Sequence, residues 1–180
     1  MSNLKAAIAA LALAAMLGGA LWYGMNRKII PEVKPQPAAV AAPDTAHEKI
    51  TLEEQLKKKP GHAPVLLRLA QIATEQGQPG EARRRLEEVL KAEPKNMEAL
   101  LELGRACYEL NDLPCAISET ATLVELDPKN VDALYNLGAI YANTGDVGKA
   151  KEYWQKAVHV APESESGKKS AAGLKQVGGG

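Results

Sequence analysis

The chain has 180 residues, with 22 basic and 22 acidic side chains and no net charge. That balance excludes a basic footprint for nucleic acid, and two cysteines do not build a disulfide framework. Aromatics make up only 4% and Phe is absent, so a core of Ala and Leu, helix on helix, is expected rather than a barrel or sandwich.

The first segment, 1–28, has a short positive start (the α-amine and Lys5) followed by Ala6 to Met25 without a charge. As a helix this run spans about 30 Å, the thickness of a bilayer core. Trp22 and Tyr23 stand at its far end, where amphipathic rings favour the headgroup level, and Arg27-Lys28 closes it. The segment reads as a transmembrane anchor. Its alanine-rich composition and Gly18-Gly19-Ala20 keep a cleaved signal peptide open as the alternative. Flanking charges do not orient the segment, but a short stub before an apolar run favours export of the larger part.

Residues 29–46 carry Pro31, Pro35, Pro37 and Pro43 among alanines and read as an extended linker. Within 47–61, Thr51-Leu-Glu-Glu54 has the form of a capping box opening a short helix that stops at Pro60-Gly61. Leu52, Leu56 and Pro60 lie 34 residues before Leu86, Leu90 and Pro94, so this helix is expected to cover one end of a stack.

From 62 to 164 the chain repeats itself at that period, as 63–96, 97–130 and 131–164. Pro60, Pro94, Pro128 and Pro162 are in register, as are Leu69-Ala70, Leu103-Gly104 and Leu137-Gly138. Ala82, Ala116 and Ala150 align, and Gly77, Asn111 and Gly145 punctuate each repeat. First helices are expected near 63–76, 97–110 and 131–144, and second helices near 79–92, 113–126 and 147–160. Asn96, Asn130, Asp112 and Asp146 stand at N-cap places, while Pro79 and Pro114 fit first turns. The small residues 70, 104 and 138 are expected to meet Ala82, Ala116 and Ala150 where the paired helices cross.

The third repeat, with Leu134, Leu137-Gly138, Tyr141, Gly145, Ala150, Trp154, Ala157 and Pro162, resembles the tetratricopeptide repeat family. Repeat two departs at Cys107 and Thr120, and repeat one at Ala73 and Leu86. The resemblance implies an all-α, right-handed solenoid of three helix pairs with flanking capping helices, joined to the N-terminal transmembrane helix. Residues 165–180 continue the first-helix register weakly, with Ala171-Ala172 in place of Leu-Gly, and read as a capping helix with a glycine tail.

Chemistry is sparse. His47, His62 and His159 have no partners at ligand spacing, and the glycines punctuate turns instead of cradling phosphate. No catalytic residue, metal or cofactor is expected. Cys107 and Cys115 flank the turn of repeat two at facing places; they read first as two small buried residues, with a disulfide as the alternative in an oxidising compartment.

By resemblance, the concave groove is lined by the first helices. That register places Leu67 and Gln71, then Leu101, Arg105 and Tyr108, then Tyr135 and Asn136 in it. Leu101, Tyr108 and Tyr135 would anchor apolar groups, Arg105 a carboxylate, and Asn136 a peptide backbone. Leu67, Gln71, Glu102, Asp132 and Asn136 stand where members that grip chaperone tails keep their clamp, and three of the four expected charges or amides are replaced, which argues against that role. The expected function is a membrane-tethered module binding a peptide or protein partner. The architecture resembles bacterial envelope assembly proteins of the family, cytochrome c maturation factors among them. A single-pass inner-membrane protein with periplasmic repeats is expected. A self-associating scaffold, joined through a weakly capped C-terminal end, is the rival reading.

Overall fold

The computed structural model describes residues 43–178, all within one unit, Pro35–Gly180. The expected anchor and nearly all of the linker lie outside the described residues. Among the described residues, eight helices and no strands occur. They are α1 Pro43–Lys58, α2 Ala63–Glu75, α3 Pro79–Ala92, α4 Met97–Glu109, α5 Leu113–Leu126, α6 Val131–Thr144, α7 Val147–Val160 and α8 Glu165–Gly178. Among them no helix is long and apolar enough to cross a membrane.

The middle six helices form three pairs, and each pair packs on the next. Local chemistry sets their limits. Asn96 and Asn130 accept the amides of Ala99 and Ala133 at 3.0 Å, and Asp112 and Asp146 accept those of Cys115 and Lys149 at 3.2 and 3.0 Å. Within each pair the chain reverses through one left-handed residue: Gly77 (φ 66°), Asn111 (φ 58°) and Gly145 (φ 84°). Asn fills the middle turn because its short polar side chain tolerates that region.

The stripes between helices are apolar and nearly dry. Leu66, Ile72, Leu86, Val89, Leu100, Leu123, Leu134 and Leu137 are all buried, as are Ala82, Ala116 and Ala150. One expected contact is corrected. A Cβ on Gly104 would first meet Thr120, and one on Gly138 would first meet Trp154, not Ala116 and Ala150. The partner lies one helical turn further along on the same face, where a longer side chain reaches across the crossing. Trp154 lies between α6 and α8, for a Cβ on Gly173 would stand 2.9 Å from its ring.

The two ends differ from expectation. Helix α1 starts at Pro43, so Thr51 lies in its interior and its hydroxyl donates to the His47 carbonyl at 3.1 Å instead of capping. Alanine is the strongest helix former and proline fits a first turn, so the last linker residues join the helix. Leu52 and Leu56 point inward, and two arginines hold α1 to the stack. Arg68 donates through Nε and Nη2 to both oxygens of Glu48 at 2.6 and 2.8 Å, while buried Arg85 binds Glu53.

At the other end, Ser164 caps α8 by accepting the Gly167 amide at 3.0 Å. The buried face of α8 is Ser166, Gly167, Ser170 and Gly173, offset from the expected Ala171-Ala172. Lys168, Lys169 and Lys175 face water.

The charged run on α3 is paired. Arg84 hydrogen-bonds Glu81 and holds its carboxyl down to about 2 against burial, with Arg85 adding to the effect. The folded pKa lies below the ordinary 4.5, so this contribution is complete above pH 4.5 and is lost as pH falls towards 2. Helicity followed in acid should therefore decline across that window. Glu81→Gln should flatten the decline by an amount on the order of 2 kcal/mol. An unchanged acid profile in the variant would show that the pair contributes nothing.

Candidate functional site

The first helices α4 and α6 pack side by side, and α8 continues the row after α6. One face of this row carries the sequence-predicted residues of repeats two and three. Leu101 is half-buried against Leu100, Leu123 and Ala133, and Tyr108 is half-buried against the main apolar cluster. Both are floor as much as anchor. Arg105 is exposed and donates to Glu102 at 2.7 Å. Tyr135 is half-buried, and its carbonyl accepts the Trp154 indole N–H at 3.2 Å. Asn136 has an amide nitrogen that is hidden from water yet finds no acceptor.

The titrating groups here feel one another. Burial, then Tyr135, pushes the Tyr108 hydroxyl up. Burial, then Glu102, raises the Glu109 carboxyl, while Arg105 pulls it down. The hydrogen bond to Glu165 at 2.6 Å raises the Lys169 ammonium, and both Tyr135 and Arg105 act on it. Lys169 Nζ lies 5.9 Å from the centre of the Tyr135 ring. Nearby, the Ser166 hydroxyl donates to Asp132 and ties α8 to α6. Arg105, Tyr108, Tyr135 and Lys169 thus converge from three helices.

Leu67 and Gln71 lie on α2. Leu67 packs on the main cluster, and Gln71 is exposed and donates to Glu75 at 3.1 Å. The neighbour of Leu67 in the same register, Arg68, is taken up by Glu48 of α1.

Sequence reasoning missed Lys169, Glu109 and Arg68. Lys169 lies 34 residues after Tyr135, and Arg68 lies 34 before Glu102, so the period itself held the signal. Cys107 and Cys115 are bonded, with their Cα atoms 5.8 Å apart, where two separate buried residues were the first reading. The tight turn at Asn111 brings their helices within the reach of a disulfide. Among the described residues, no group of His, Cys, Asp or Glu could hold a metal ion.

Family profiles match along this whole solenoid. Two described as Tetratricopeptide repeat cover residues 67–121 and 131–164, and one described as TPR repeat covers 104–145. The chain belongs to the tetratricopeptide repeat family.

Solved structures share the fold of this repeat protein. MamA is similar with 24% identity and a TM-score of 0.66, over 74% of this chain and 86% of that one. YrrB, described as a TPR protein with an unusual peptide-binding site, has 24% identity and a TM-score of 0.67, over 73% of this chain and 66% of its own. A tetratricopeptide repeat protein from Parabacteroides merdae ATCC 43184 has 24% identity and a TM-score of 0.68, over 76% and 54%. No curated protein matches the sequence.

Such repeats are generally interaction scaffolds, and the helix pairs here supply the same kind of surface. In this chain α8 packs on the last pair and places a lysine over the Tyr135 ring.

Proposed function

We propose that the chain is a membrane-tethered interaction module that holds a peptide segment of a protein partner along the face formed by α4, α6 and α8. The convergence of Arg105, Tyr108, Tyr135 and Lys169 carries the reading. Two tyrosine rings and two cations on neighbouring helices suit an extended segment with apolar and acidic side chains. The unpartnered amide nitrogen of Asn136 beside them would gain an acceptor from a peptide carbonyl after a small shift. The peptide-binding site described for YrrB, on the same fold, supports the choice of ligand.

The tether rests on the uncharged run from Ala6 to Met25 and the prolines after it. The same architecture supports the reading that the repeats stand in a bacterial periplasm with an assembly role there. The lysines on the outer face of α8 disfavour end-to-end stacking, so the scaffold alternative gains no support from that end.

The test is site-specific photocrosslinking in the native membrane, with the probe at Tyr135 on the groove or at Ser118 on α5. The Tyr135 probe should trap one discrete partner. Adding Arg105→Glu should reduce that product about tenfold, the loss of one charge-assisted contact. Equal products from both probe positions would sink the groove assignment.

A further inference from the structure

Repeats two and three each fasten their two helices beside the turn, and each does it differently, whereas the corresponding charges of repeat one pair within α3 and with α1. In repeat three, Lys149 Nζ lies 4.7 Å over the Tyr141 ring, and that ring stacks on Tyr153 with centres 5.6 Å apart. Thirty-four residues earlier the places of Tyr141 and Lys149 are held by Cys107 and Cys115, which are bonded. Another 34 earlier stand Ala73 and Glu81, and Glu81 binds Arg84 and Arg85, with Arg85 reaching Glu53 of α1.

Repeat two is also the one with a thin crossing. Thr120 stands where repeat one has Leu86 and repeat three has Trp154, and its buried hydroxyl has no partner. The pair with the smallest side chain at this place is therefore the one that carries the covalent link.

We propose that the Cys107–Cys115 bridge is the latch of repeat two, replacing the tyrosine latch of repeat three, and that it exchanges with outside thiols from one side, at Cys115. Cys107 is fully buried in the main apolar cluster, whereas Cys115 is half-buried at its edge. An incoming thiolate therefore reaches the Cys115 sulfur. The S–S bond breaks, a mixed disulfide forms on Cys115, and Cys107 leaves as a thiolate that takes up a proton. With a dithiol reductant, its second thiol then displaces Cys115. The products are two cysteine thiols and the oxidised, cyclic disulfide of the reductant. Expelling a thiolate into apolar surroundings is unfavourable, so the folded bond exchanges slowly. Closure runs the same steps backwards, with a disulfide oxidant of the same class accepting the two electrons. Arg105 and Tyr108 flank Cys107 on α4, so reduction loosens the middle of the groove first. None of this depends on what the groove binds.

The experiment uses the full chain, oxidised with glutathione disulfide or reduced with dithiothreitol. A closed loop this short should make the reduced form melt about 10 °C lower. Hydrogen exchange should rise about tenfold or more across 97–126 while 131–160 keeps its protection. A prolonged incubation with reduced glutathione, quenched by alkylation, should leave its adduct on Cys115. The combined variant Cys107→Tyr, Cys115→Lys and Glu119→Tyr transposes the latch of repeat three, and its melting should ignore the reductant. Melting of the two wild-type forms within about 2 °C overturns the latch, whatever the variant does. Two thiols that stay free under glutathione disulfide overturn it as well. An adduct on Cys107 overturns the one-sided exchange.

Discussion

Trp154→Ala is expected to lower the unfolding free energy by about 4 kcal/mol and the melting temperature by roughly 15 °C. The indole is 6% exposed and is pressed between two glycines on different helices. Its N–H donates to the Tyr135 carbonyl at 3.2 Å. Removing the ring opens a cavity that neither glycine can fill, and it strips α8 of the surface on which Gly173 rests. Helix α8 should therefore fray before the rest. Hydrogen exchange across 165–178 should rise far more than across 63–92, alongside a urea titration read by circular dichroism. Trp154→Leu, which copies Leu86 of repeat one, should recover about half the loss, since a branched aliphatic side chain fills part of the space. A loss under about 1 kcal/mol for the alanine variant would mean that the ring does not join the two helices.

The parts of this fold that were legible in the sequence are those decided within a few residues. Asn96, Asn130, Asp112 and Asp146 each bind an amide three residues ahead, and Gly77, Asn111 and Gly145 each set one turn. These contacts need no knowledge of the distant chain. The start of α1 was not legible, because the pair that docks it, Glu48 with Arg68, spans 20 residues between two helices. Read locally, the prolines and alanines before it look like linker to the end. The crossing partners were misplaced by one turn for a similar reason. The period aligns Ala150 with Gly138, but only the packed helices show that Trp154 is the side chain that crosses. On the face proposed to bind a partner, Arg105, Tyr108 and Tyr135 are among the residues that the family resemblance singles out. Lys169 is not, because α8, although the register reaches it at Ala171-Ala172, reads as a cover and not as part of the lining.

Gly138→Leu is expected to abolish cooperative folding of repeat three, and the graded series around it shows why. A single Cβ at Gly138 would stand 2.4 Å from Trp154 Cδ1 and Nε1 and 2.8 Å from Cγ. The indole cannot swing away, since its far side lies against Gly173 and its N–H is engaged. Gly138→Ala should cost about 2 kcal/mol even after the gain of about 1 kcal/mol that alanine brings to a helix. At the equivalent Gly104 the obstacle is different. A Cβ there would lie 2.4 Å from Thr120 Oγ1 but 3.6 Å from Thr120 Cβ, and that hydroxyl makes no hydrogen bond. Gly104→Ala should thus cost no more than about 1 kcal/mol. Combined with Thr120→Ala, it should cost less than the sum of the two single changes, because the second removes the atom that obstructs the first. The same double change at Gly138 and Trp154 should likewise cost less than the sum of its single changes, but its total cost should stay large, since the ring that obstructs is also the ring that holds α8. Equal costs for alanine at 104 and 138 would show that the fixed indole does not limit how closely these helices approach.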